Sequence, residues 1–179
     1  MMPIMKKIVE LKHWQVFAII LLPVFNPGIN FVVDGILGSL SFTFFFFWIL
    51  SIGLVLNDLL PNSKKVNSNY FQISAGFIII YFVYIIFVAG GGYYINNHNY
   101  KEYGLWIWLI IPLHLYLMWS IFYMFHYAAK IISRLNIFVN KKKDSTTAGY
   151  FFGFWFYLIG IWIIQPKIHE LLNKSSDGQ

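Results

Sequence analysis

The stretch IIPLHLYLMWSIFYMFHYAAK, Ile110 to Lys130, decides how this chain is read. Almost every residue in it favours hydrocarbon over water, and it is as long as the roughly 20 residues a helix needs to cross a bilayer. Yet it carries two imidazoles, His114 and His126, and closes on Lys130. At 100° per residue, His114 shares a helix face with Met118, Ile121, Phe122 and Phe125. His126 lies about 120° further round, with Trp119, Tyr123 and Lys130. The two rings are also roughly 18 Å apart along the axis, so they do not form one site on this helix. His126, one turn before Lys130, fits an anchor at a helix end, where a basic ring offsets the C-terminal dipole. His114 falls near the middle of the hydrocarbon, two residues after Pro112. There a neutral imidazole can hydrogen-bond across helices, or serve a ligand, proton or substrate role.

The apolar bias extends over the whole chain: 59% of residues are hydrophobic, 21% aromatic and only 11% charged. Soluble domains carry about 25% charge, and a small domain has too much surface to hide this many large apolar groups from water. There is no cysteine, which removes disulfides, thiolate metal sites and cysteine nucleophiles. The +6 net charge is not a nucleic-acid signal, because the basic residues fall between apolar segments and not on one face. No direct nucleic-acid binding is expected.

Five apolar segments follow: Trp14–Phe25, Ile36–Leu56, Phe71–Ala89, Leu105 to about Ala129, and Ala148–Ile164. Polar or turn-forming punctuation separates them, notably Asn26-Pro27-Gly28-Ile29-Asn30, Asn57-Asp58 with Pro61, and Gly90-Gly91-Gly92. Gln165-Pro166-Lys167 reads as a helix stop at the interface. Lys and Arg number 3 before the first segment, then 0, 2, 1 and 5 in the successive loops. That alternation is the positive-inside pattern of genuine spans, and it puts the N-terminus in the cytoplasm. Two more basic residues, Lys167 and Lys174, follow the fifth segment and fit best if that segment is re-entrant. The first segment lacks a small-x-small cleavage site near Phe25 and reads as an uncleaved helix. The expectation is an all-α, polytopic transmembrane helix bundle with five spanning segments, or four if the last is re-entrant. It forms a single transmembrane domain over 1–172, with a polar tail over 173–179.

Remaining polar groups are sparse. Ser39, Ser41, Thr43 and Ser51 read as helix-contact or backbone-bonding residues. Ser51, Gln72 and the tyrosines of the third segment are the candidate partners of His114. Gly153 and Gly160 permit close helix approach but are not spaced as GxxxG. HExxH, GxSxG and an i, i+4 histidine pair are all missing, and the other histidines (His13, His98, His169) fall in flanks or loops. No metal ligand set, cofactor or catalytic residue is expected.

The motifs LKHWQVF, PLHLYLMWSIFYMFHYAAK and GYFFGFWFYLIGIWIIQPKI together resemble a group of small multi-pass bacterial membrane proteins of uncharacterised function. The resemblance touches the first, fourth and fifth segments, about a third of the chain. It implies a bacterial inner-membrane location and places His114 and Lys130 at pattern positions. Tyr150 and Phe151 stand where the group's pattern has an acidic residue. In size and span count, though in no motif, the chain is also similar to the membrane accessories of type VI-B CRISPR systems.

Three function classes follow. The first is a non-enzymatic accessory, scaffold or oligomer-forming module. Its partners would be the lipid bilayer, further copies of itself, and anionic lipid or a cytoplasmic protein at Lys130, Arg134, Lys141, Lys142 and Lys143. The second is an oligomeric pore. The third is a small membrane enzyme or transporter centred on His114.

Overall fold

The computed structural model describes residues 3–22, 31–90, 104–141 and 146–176. Among these the chain is all-α, with seven helices: α1 (Pro3–Val9), α2 (His13–Leu21), α3 (Phe31–Asp58), α4 (Asn69–Gly90), α5 (Gly104–Asn140), α6 (Thr147–Trp155) and α7 (Tyr157–Ser176). The stretch Gly35–Asp58 of α3 is long and apolar enough to cross a membrane; Asn69–Ile85 of α4 is apolar but shorter.

Helices α3, α4 and α5 form the trunk. The α3–α4 connection is fixed by Asn57, whose side chain brackets Val66: Nδ2 donates to the Val66 carbonyl (2.8 Å) and Oδ1 accepts from its amide (2.9 Å). The Tyr127 hydroxyl of α5 donates to the same carbonyl. Ring pairs Tyr70–Tyr123, Phe77–Tyr116 and Tyr81–His114 show that α4 and α5 run antiparallel. Gly53 lets the Phe71 ring lie directly on the α3 backbone, and Phe71 in turn stacks on Tyr127 at 4.2 Å.

Two expectations about the fourth segment are corrected. It does not end near Ala129. Helix α5 passes through Pro112 and continues to Asn140, 37 residues in all, about 55 Å at 1.5 Å per residue. Beyond Lys130 the sequence is amphipathic: Ile131, Ile132 and Leu135 are fully buried while Arg134 and Ile137 face out. The buried stripe Leu117, Ser120, Met124, Ala128, Ile131, Leu135 keeps the helical period throughout. The helix stops where Lys141 takes a left-handed φ of 52°, the usual geometry of a helix terminator. His126 is therefore exposed in mid-helix, and the helix-end dipole argument does not apply to it.

The fifth segment is likewise not one helix. It breaks at Phe156 (φ −96°, ψ 54°), whose amide still bonds the Phe152 carbonyl. α6 and α7 fold back on each other there. Gly160 packs against the Gly153 backbone so closely that a Cβ on Gly160 would overlap the Gly153 carbonyl. The two glycines thus do mediate close approach, to each other. α6, with 9 residues, is only about 13 Å long. α7 passes through Pro166 without stopping, so Gln165-Pro166-Lys167 is helix interior. The start of the supposed tail, residues 173–176, is the last turn of α7.

Among the described residues, the ion pairs and the charged side chains that bond to other elements gather at one end of the bundle. Arg134 of α5 donates to the Lys64 carbonyl of the α3–α4 turn (3.2 Å), and Lys64 sits over the Phe138 ring. At the end of α7, Glu170 takes Lys167 (2.7 Å) and Lys174 (2.9 Å), and Asn140 at the end of α5 bonds both Glu170 and Lys174. The α1–α2 junction, with Glu10 and Lys12, joins through the Leu11 carbonyl, which accepts from His169 Nε2. α7 therefore ends on the same side as α5. The opposite end exposes large apolar groups, among them Trp108 (77%), Ile80 (71%) and Ile159 (68%).

Candidate functional site

The polar side chains embedded in the trunk line up along the α4–α5 contact. On α4, Tyr70, Ser74, Phe77 and Tyr81 recur at helical spacing and so share one face. On α5, Tyr127, Tyr123, Ser120, Tyr116 and His114 face them. The register set by the ring pairs brings Ser74 level with Ser120, and both are sealed from solvent. The Ser74 hydroxyl finds no hydrogen-bond partner among the described residues. A line of hydroxyls thus descends from the charged end, at Tyr127, to His114.

His114 closes this line. Its Nδ1 shares a hydrogen bond with the Tyr81 hydroxyl. Of the partners open to it, the third-segment tyrosine is the one used. Ser51 instead bonds back to the Phe47 carbonyl, and Gln72 bonds Ser68. The orientation differs from the expectation for an intramembrane histidine. Tyr81 is buried, but His114 is exposed on the outer surface of the bundle, alongside Met118 (53%) and Phe122 (38%). The described carboxylates of Glu10, Asp58 and Glu170 lie at the charged end, away from it. The seam can therefore clasp two helices and present one imidazole outward. It brings no acid or nucleophile to that ring from the described side chains. Among the described residues no three histidine or carboxylate side chains converge as a metal site would require.

The basic set is dispersed. Lys130 is half-buried on α5, Arg134 caps the α3–α4 turn, and Lys141 ends the helix. Lys142 and Lys143 lie outside the described residues. The loop expected between the fourth and fifth segments is mostly helix, and Arg134 is spent on a structural bond. Glu170 is the most perturbed group at this end. The Lys167 ammonium, and then that of Lys174, hold its carboxyl down at about 2.

Comparison with known protein families, with curated proteins and with solved structures finds no match.

Sequence reasoning overlooked one residue. Gln165, fully buried, uses its whole amide: Oε1 accepts from the Trp48 indole (3.0 Å), and Nε2 donates to the carbonyls of Val9 (2.7 Å) and Leu11 (2.6 Å). It joins α1, α2, α3 and α7 at one point. The signal was available, since a lone amide inside an apolar run must find partners. The adjacent proline made it look like a terminus. Ser41 acts similarly, donating to the Ile19 carbonyl and tying α2 to α3.

Proposed function

We propose that this chain is a polytopic protein of a bacterial cytoplasmic membrane. The segments of α2, α3, α4 and α5 cross it, and the α6–α7 hairpin enters and returns on the basic side. Its role is that of a non-enzymatic, self-associating scaffold or accessory. One observation carries the reading: large apolar side chains along the outside of the bundle, among them Trp108, Ile80, Ile159, Leu115, Trp119 and Leu40, are more than 60% exposed. Water would penalise such a surface at roughly 25 cal/mol per Å² of apolar area; hydrocarbon does not. Both termini then lie on the cytoplasmic face by the positive-inside rule. Lys65, Lys130 and Lys141 are placed there to meet anionic headgroups or a partner, at about 1 kcal/mol per basic residue near the surface. Self-association follows from His114. A polar ring facing outward at hydrocarbon depth is costly to leave against lipid and is satisfied by contact with another copy.

The absence of native cysteine makes the test clean. Single-cysteine variants Lys65→Cys and Ser175→Cys are expected to react with a membrane-impermeant maleimide from the same side of sealed vesicles. Native mass spectrometry in nanodiscs is expected to give a small oligomer that His114→Ala dissociates without loss of insertion. A strict wild-type monomer overturns the self-association. A closed ring with a water-filled axis replaces the scaffold with a pore.

A further inference from the structure

A cavity of 420 Å³ lies where the tip of the α6–α7 hairpin meets α2, α3 and α5. Its origin is geometric. α6 stops at Trp155 after 9 residues, so the hairpin covers only part of the length of α3 and α5. The walls are Gly38, Phe42 and Phe46 of α3, Ile121 and Phe125 of α5, and Tyr157 at the tip. The polar side chain of α3 in the wall, Ser41, has its hydroxyl committed to the Ile19 carbonyl at 2.9 Å. Water held in a cavity needs two to four polar partners, and this wall offers it almost none. Leaving the space empty carries a penalty that grows with volume, and an apolar cavity of about 150 Å³ already binds benzene or xenon. The cavity is continuous with the exposed apolar surface. Trp155 in its wall is 45% exposed, and Leu40 and Phe156, chain neighbours of Ser41 and Tyr157, are 62% and 61% exposed.

We propose that this cavity is a binding site for the hydrocarbon chain of a bilayer phospholipid, which enters beneath the hairpin tip and completes the packing between α3 and α5. The proposal rests on the membrane reading above. The chemistry is that of an unbranched alkyl chain: aromatic walls, and a mouth at hydrocarbon depth away from the charged end. The site selects for chain and not for headgroup.

The test uses the full chain in phospholipid vesicles containing a phosphatidylcholine with a diazirine at the end of one acyl chain. Photolysis and peptide mass spectrometry then locate the adducts. Adducts are expected to concentrate several-fold on Phe42, Phe46 and Tyr157 over the more exposed Trp108 and Ile159. A Cβ added at Gly38 meets nothing within 4 Å, so Gly38→Trp has room to fill the cavity. It is expected to abolish the cavity adducts and leave those at Trp108 unchanged; Ile121→Trp fills the site independently from α5. Even labelling over all exposed apolar positions, or cavity labelling that survives both variants, overturns this proposal alone. Failure of the wild-type chain to float with the vesicles overturns the membrane reading and this proposal with it.

Discussion

The two ends of the bundle use the same amino-acid types in opposite ways. At the charged end, Val9, Leu56, Phe71, Ile131, Ile132, Leu135 and Leu171 are wholly buried, and Asn57, Gln165 and Asn140 knit the helix ends together. At the other end, Trp108, Ile80 and Ile159 are mostly exposed. A protein folded in water concentrates its packing where charge is absent. Among the described residues, packing is tightest beside the ion pairs of α7 and loosest toward the opposite end. On the membrane reading proposed above, lipid tails would do the covering at the far end that side chains do at the near end.

Glycine substitutions sharpen this contrast most. Gly160→Ala places a methyl inside the Gly153 carbonyl, and neither backbone can yield without opening the hairpin. A loss of about 3 kcal/mol or more is expected, at or beyond the upper range for overpacking. It is read as loss of the monodisperse peak in detergent chromatography. Gln165→Leu comes next. It leaves the Trp48 indole and the Val9 carbonyl unpaired in a sealed site, while the Leu11 carbonyl keeps only His169, at a cost of about 3 kcal/mol. The thermal midpoint is expected to fall by roughly 6–12 °C. Gly76→Ala tests the open side. Nothing lies within 4 Å of the added Cβ, so the variant is expected to gain about 0.5–1 kcal/mol from helix propensity alone. A loss there would show that another element covers the face.

Breaking the seam is a milder perturbation. Tyr81→Phe and His114→Ala should each cost about 0.6 kcal/mol, a typical interhelical hydrogen bond in a membrane, and the double variant should cost little more than either. The smallest effect belongs to Glu170. Its carboxyl is held at about 2, below the ordinary 4.5, so its stabilising contribution is complete above pH 4.5 and is lost as the pH falls from there through 2. The side chain is 38% exposed, so salt screens the effect. Glu170→Gln is expected to flatten the melting temperature over that window, and high salt to mimic it.

Much of this architecture was readable from residue order, and the misses have physical causes. The run Phe44–Trp48 inside α3 could only be a buried or lipid-facing helix. The end of α5 was misplaced because Lys130 and Arg134 interrupt the apolar run without interrupting its period: Ile131, Ile132 and Leu135 continue the buried stripe. The break at Phe156 has no local signature, since neither proline nor a polar residue stands there. It is imposed by the contact between Gly153 and Gly160, which are neighbours only once the hairpin has formed. His114 stood out as a polar ring in an oily segment, and its tyrosine partner was among the candidates. Its outward orientation depends on how α4 packs, which one helix alone does not reveal.

The hairpin has a consequence for how the chain is made. On the membrane reading, α6 and α7 enter and leave on one side, so no charged segment need be carried across the bilayer to place them. Crossing is complete once α5 has emerged from the ribosome, and the hairpin can seat itself afterwards against a finished trunk. Its closing bonds, Gln165 to Trp48, Val9 and Leu11, join α7 to α3 and to the α1–α2 junction. Assembly is thus locked by α7, which is synthesised after the trunk, and a chain halted before Gln165 is threaded but left unfastened.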